Sequence, residues 1–138
     1  MDKTLNYRII DGADTMRMEE VMALLGKTYW ANTRSREQVE LSMKNSQCYG
    51  VFLDNEDKQV GFARVISDFA TTYYLCDVII DPAYQHNGFG TALIAYIESL
   101  SIYQGLRGVL ITRDAHALYE KFGYETLNGR AMVKGLNC

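Results

Sequence analysis

The sequence predicts a mixed α/β fold (an α+β mixed sheet). The sheet is mostly antiparallel, with one parallel strand-helix-strand crossover and helices on both faces. Two β-rich runs flank Asp54-Asn55-Glu56-Asp57, which is a turn by composition, and a third run follows. The third run ends in Val78-Ile79-Ile80, the continuous apolar stretch expected of a strand covered on both faces. A glycine corner, Gln85-His86-Asn87-Gly88-Phe89-Gly90-Thr91, then leads into an amphipathic helix and another short strand.

Residues 6–10 read as a first strand. Asp14 or Thr15 then caps a helix in which Met18, Val21, Met22 and Leu25 follow i, i+3, i+4, i+7 spacing, with Gly26 near its end. Residues 29–34 are a connector rich in large side chains. Ser35 and Gln38 form a capping box for a second helix over residues 36–44, with Val39 and Met43 as its core contacts. Strands over residues 48–53 and 59–66 make the hairpin, and residues 70–80 make the third strand of the meander. After the corner, Leu93, Tyr96, Ile97 and Leu100 share one helix face, closed by Gly105. Residues 109–112 form a short strand. Ala115, Leu118, Tyr119 and Phe122 mark a last helix ended by Gly123, and Met132 and Val133 fall in a final strand.

A chain of 138 residues is expected to form one domain over 1–138, long enough to build a core without staples. Its composition, 48% hydrophobic and 22% charged, is that of a globular protein rather than a disordered one. Fourteen basic against seventeen acidic residues give a net charge of −3, which argues against general nucleic-acid binding. Cys48, Cys76 and Cys138 are odd in number and widely spaced, with no metal-ligand spacing, so no metal is expected and the thiols read as reduced. The N-terminus lacks an apolar signal region and no run reaches membrane-spanning length. A soluble cytoplasmic protein is the expectation.

The corner fits neither familiar phosphate loop. Leu93 stands where a dinucleotide-binding G-x-G-x-x-G needs its third glycine, and Gly90 is followed by Thr91-Ala92 rather than Lys-Ser/Thr. The physics still favours an anion. The first turn of a helix leaves backbone N–H groups unpaired, the dipole adds positive potential, and glycine permits close approach. By itself, Gly-x-Gly serves equally as a tight turn with glycines for geometry alone.

Two blocks extend the signal. Val78-Ile79-Ile80-Asp81-Pro82 followed by Gln85-x-x-Gly88-x-Gly90 resembles the cofactor-binding segment of the GNAT superfamily of N-acetyltransferases. Leu118-Tyr119-Glu120-Lys121-Phe122-Gly123-Tyr124 is similar to a second family segment, in the right order. Phe62-Ala63-Arg64-Val65-Ile66-Ser67-Asp68, with Tyr74-Leu75-Cys76-Asp77 and Thr112-Arg113-Asp114-Ala115, looks like a branch of small, functionally vague members.

The resemblance implies a GNAT-like fold and transfer of acetyl from acetyl-CoA to a primary amine of a small molecule or peptide. It implies that the backbone of Val78, Ile79 and Ile80 bonds the pantetheine and acetyl region. Gln85, His86, Asn87, Gly88, Phe89, Gly90 and Thr91 would cradle the pyrophosphate, with glutamine standing where the family often has arginine. Tyr119 matches the proton donor to the departing thiolate, and its ring also suits the helix's apolar face. Thr112 replaces an asparagine that contacts the cofactor in many relatives. Asp77 accepts a proton, holds a cationic amine or pairs with arginine. His86 acts through its backbone, and His116 faces solvent. Tyr29, Trp30, Arg34 and Arg64, with Asp68, are candidates for the acceptor pocket or for packing and surface ion pairs. The expected partners are the amine and a second copy in a homodimer, with no nucleic acid or membrane. A non-catalytic CoA-binding sensor or interaction module on the same fold is the alternative.

Overall fold

The computed structural model describes residues 5–135. Its sheet has five strands in sequence order: β1 (Tyr7–Asp11), β2 (Gln47–Leu53), β3 (Lys58–Ser67), β4 (Thr72–Ile80) and β5 (Arg107–Val109). The first four run antiparallel to their neighbours, while β5 returns parallel to β4. The crossover between them contains α3 (Phe89–Ser99). The mixed α/β architecture is therefore as the sequence predicts.

Alternation along the strands divides the core between two faces. Cys48 and Phe52 of β2 and Phe62 of β3 meet Val21, Leu24 and Leu25 of α1 (Met18–Leu25) and Val39 and Met43 of α2 (Arg36–Lys44). Tyr49, Val51 and Leu53, with Ala63, Val65 and Leu75, meet Phe89, Leu93, Ile94 and Ile97 of α3. Burying each large aliphatic side chain contributes about 1.5–3 kcal/mol. The apolar run at the end of β4 serves both faces: Val78 and Ile80 pack with the α3 cluster and Ile79 with the α1–α2 cluster.

Ser35 caps α2 as expected, its Oγ accepting from the Gln38 N–H at 3.1 Å. The cap of α1 differs. Residues Ala13–Thr15 form a 3-10 turn, and the Thr15 hydroxyl donates back to the Asp11 and Gly12 carbonyls. The N–H of Arg17, the residue preceding α1, goes instead to Oε1 of buried Gln59 at 2.9 Å. A long-range amide thus replaces the local cap, because the sheet brings β3 against the helix start.

The C-terminal third departs further. Helix α3 stops at Ser99 and a 3-10 turn, Ser101–Tyr103, follows before Gly105. Strand β5 begins two positions earlier than expected and ends at Val109. The last helix, α4, is short (His116–Glu120). Met132 and Val133 are in no strand and are exposed. Cys138 lies outside the described residues.

Candidate active site

A bulge in β4 organises one wall of the site. Cys76 faces Arg64 of β3 and Ile79 faces Phe62, so Asp77 and Val78 together oppose the single residue Ala63. Asp77 is left-handed, with φ of 55°. A non-glycine residue in that region costs about 1–3 kcal/mol unless its surroundings hold it.

Here the side chain is held on every side. Arg34 Nη1 donates to Asp77 Oδ2 at 2.7 Å, and Arg64 Nε donates to the same oxygen at 2.9 Å. Trp30 Nε1 donates to Oδ1 at 3.1 Å. Arg64 Nη1 donates onward to Ser46 Oγ at 3.0 Å. Burial pushes the Asp77 carboxyl up, but the hydrogen bond from Arg34 and the charges of both arginines outweigh it and hold it below its ordinary range. Asp77 is therefore an ion at neutral pH whose oxygens are already in use.

Three acceptor-pocket candidates, Trp30, Arg34 and Arg64, thus converge on Asp77. The fourth, Tyr29, meets Trp30 edge to face with ring centroids 5.0 Å apart. Arg113, which sequence reasoning missed as a site residue, lies over the Tyr29 ring at 3.8 Å. No local signal marks it, since the pairing joins the α1–α2 connector to the loop after β5. Asp68 is not in this cluster. It closes its own hairpin loop, accepting from the N–H groups of Ala70, Thr71 and Thr72.

The second wall is the far edge of β4. Strand β5 pairs with it at Thr72, Tyr73 and Tyr74, and no pairing to β5 continues beyond Tyr74. Residues 78–80 lie on the stretch left open. Their side chains are committed to the two cores, so the backbone is the part left to bind.

The corner lies directly beyond. Asp81 caps the turn Pro82–Tyr84, accepting from the Ala83 N–H at 3.0 Å, and Asn87 Nδ2 donates to the Tyr84 carbonyl at 2.8 Å. Gln85 Nε2 makes a long 3.5 Å contact with the Ile80 carbonyl. His86 and Gly88 are both left-handed, with φ of 69° and 79°. Only at Gly88 does glycine relieve that conformation. Helix α3 starts with no side-chain cap and no acidic residue in its first turn. The Ala92 N–H reaches the Gly88 carbonyl at 3.0 Å, whereas those of Phe89, Gly90 and Thr91 have no partner among the described residues. A Cβ on Gly90 would sit 3.7 Å from Ile80 Cγ1, an ordinary contact. Neither space nor a positive φ demands glycine there. The Phe89 side chain is buried, so only its backbone is available to a ligand.

Tyr119 is buried in α4 and packs edge to face on Tyr124, with centroids 5.9 Å apart. Burial pushes its hydroxyl up to about 12, and that hydroxyl has no hydrogen-bond partner among the described residues. Tyr119 and exposed His116 line a cleft of about 680 Å³ with Tyr73, Leu110, Thr112 and Phe122. Thr112 spends its hydroxyl on the Ala115 N–H at 3.0 Å, tying down the approach to α4. Burial raises the Cys48 and Cys76 thiols to about 11 and about 12, so neither is a thiolate at neutral pH. Among the described residues, no group of three His, Cys, Asp or Glu is placed to hold a metal, and no helix is long and apolar enough to cross a membrane.

Comparison with known proteins names this arrangement. Residues 44–126 match the family model of the acetyltransferase (GNAT) domain. The chain belongs to the GNAT acetyltransferase family. A GNAT-family protein of Xanthomonas campestris pv. campestris superposes with a TM-score of 0.85 at 31% identity, covering 98% of this chain and 99% of that one. The aminoglycoside N-acetyltransferase AAC(6′)-Iy, in complex with CoA, shares the fold with a TM-score of 0.73 at 15% identity, covering 100% of this chain and 99% of that one. A soybean (Glycine max) protein, histone acetyltransferase TAP1, is 24% identical over 90% of this chain. The chain spans 58% of that relative's length.

GNAT acetyltransferases use acetyl-CoA as donor. The chain's own features fit that group: unpaired N–H groups at α3 for phosphate, an open strand edge for an amide-bearing arm, and an unpartnered hydroxyl on α4.

The Asp77 cluster generates a stability prediction. Asp77→Ala leaves two arginines without their counter-ion and is expected to cost about 3–5 kcal/mol at pH 7, read by urea unfolding. Because the folded carboxyl lies below its ordinary value, its contribution is complete above about pH 4 and is lost as acid titrates the folded state. The difference between wild type and variant should therefore shrink on acidification. An undiminished difference under strong acid would contradict the assigned charge state.

Proposed function

We propose that the chain acts as a single N-acetyltransferase domain over residues 1–138, moving acetyl from acetyl-CoA directly to a primary amine of a small molecule or peptide. The observation that carries this reading is the adjacency of an uncapped helix start and an open strand edge, joined where Gly90 approaches Ile80.

In this reading the backbone of Val78, Ile79 and Ile80 holds the pantetheine and acetyl region. The corner from Gln85 to Thr91 holds the pyrophosphate, with the N–H groups of Phe89, Gly90 and Thr91 directed to its oxygens. His86 and Asn87 contribute backbone geometry. Acetyl-CoA supplies an activated thioester. A backbone N–H near Ile79 meets the negative charge that develops on the carbonyl oxygen during attack. Tyr119, kept protonated by burial, gives its proton to the departing sulfur.

The attacking group is the neutral amine, so an ammonium must first lose a proton. Asp77 is a poor base for that step, because three donors already occupy its oxygens. Its proposed role is to fix Trp30, Arg34 and Arg64 around the acceptor, with Tyr29 beside them. Self-association belongs to the same reading, since Ile111, Leu127, Met132 and Val133 expose apolar surface that a second copy could cover.

Calorimetric titration with CoA, coupled to an assay of thiol release over an amine panel, tests the proposal. Binding with release supports it. Binding without release across the panel would favour a sensor module, and no binding would remove the CoA role.

Gly90→Ala separates ligand geometry from fold geometry. Alanine inside a helix is favoured over glycine by about 0.5–1 kcal/mol, so stability should hold or rise. CoA affinity should fall, because the methyl group obstructs phosphate approach. Equal affinity in a folded variant would reassign Gly90 to the turn alone.

Tyr119→Phe should retain packing and CoA affinity while lowering kcat by about 10²–10⁴-fold. A defect confined to KM would mean that the hydroxyl only positions the donor.

A further inference from the structure

We infer that the acceptor amine also carries an oxyanion, a carboxylate or a phosphate, received by the guanidinium groups of Arg34, Arg64 and Arg113. This rests on the acetyl-transfer reading and adds the acceptor's chemical class.

Charge balance carries the argument. Arg113, Tyr29, Trp30 and Asp77 form a continuous wall, each touching the next, and Arg34 and Arg64 both join it at Asp77. It holds three guanidinium groups and one carboxylate, an excess of two positive charges. The carboxylate is not available to an incoming ammonium, because both of its oxygens accept from the protein's own donors.

The arginines are not similarly spent. Arg34 commits only Nη1 within the cluster, and Arg64 commits Nε and Nη1. A guanidinium has five N–H donors in a fixed fork, so among the described residues Nη2 of both has no partner, nor does Nε of Arg34. The Arg34 side chain is 18% exposed, so part of it can be reached. Arg113 is exposed and has no carboxylate within ion-pair distance among the described residues. Stacking on Tyr29 engages the face of its guanidinium and leaves the edge for a planar or tetrahedral oxyanion.

An acceptor bearing only positive charge would meet like charge here, which disfavours it. An amine bearing an oxyanion would be attracted through that group. The same excess positive charge disfavours the ammonium form of the acceptor nitrogen, easing loss of its proton. That accounts for a site in which the carboxylate beside the acceptor is fully engaged rather than free as a base.

Matched amines test the inference. β-Alanine is compared with propylamine, and O-phosphoethanolamine with ethanolamine, by release of CoA thiol from acetyl-CoA. The anionic member of at least one pair should have kcat/KM about tenfold higher or more, the scale of one charge-assisted hydrogen bond. The two pairs distinguish carboxylate from phosphate. Arg113→Ala should lower that ratio about tenfold, and Arg113→Lys should restore part of it. Equal rates or a preference for the neutral member in both pairs would overturn the inference while leaving acetyl transfer intact. A ratio unmoved by Arg113→Ala would also overturn it.

If no amine releases CoA, the turnover reading fails and binding decides the anion site separately. Inorganic phosphate and β-alanine are then titrated against Tm with the corner saturated by CoA, or without CoA if none binds. A rise with either ligand that Arg113→Ala abolishes supports the oxyanion site. No rise with either, or a rise that persists in Arg113→Ala, overturns it.

Discussion

The strained residue Asp77 and the two arginines that restrain it set the geometry around which the site is built. A left-handed, buried, ionised aspartate is unfavourable in conformation and in solvation. Arg34, Arg64 and Trp30 offset both costs by holding the same two oxygens. The bulge they stabilise inserts an extra residue into β4 and bends the strand just before residues 78–80. Because Trp30 and Arg34 come from the α1–α2 connector, the same bonds dock that connector over the sheet. One charge cluster therefore shapes a strand, anchors a loop and gives one side of the site its electrostatic sign.

Backbone and side chains divide the labour. At residues 78–80 and at the start of α3, apolar side chains pack in or against the core while main-chain groups remain open among the described residues. This economy suits a ligand with amide groups and a pyrophosphate, which main-chain donors and acceptors can recognise without dedicated polar side chains. The proposed acceptor side is built the other way, from guanidinium and aromatic groups of Arg34, Arg64, Arg113, Tyr29 and Trp30. On the proposed reading, a donor side made of backbone and an acceptor side made of side chains can diverge independently in sequence.

The departures from sequence expectation have separate physical causes. Thr15 has a good capping side chain, but the Arg17 N–H at the start of α1 donates to Gln59, which is remote in sequence and close only because β3 passes there. Asp68 has the charge for a binding site but sits where its own loop offers three backbone donors. Met132 and Val133 have strand-like side chains, yet residue type alone cannot supply a neighbouring edge, and they lie outside the sheet. Where local chemistry competes with a distant partner, propensity is only a weak guide.

The sequence by itself determined the meander, the crossover at the glycine corner, the Ser35 cap and the two apolar faces. Each follows from period, turn chemistry or a contact spanning a few residues, all of which are written locally. The GNAT resemblance of the corner and of the Tyr119 segment was legible for the same reason, since each motif is contiguous. Tertiary structure alone decided that Asp77 is spent on Arg34 and Arg64, that Arg113 stacks on Tyr29, and that β4 stands open beyond Tyr74. Those pairings join residues far apart in the chain. The energy that selects them, desolvation set against charge and hydrogen bonding, exists only once the sheet has brought the partners together.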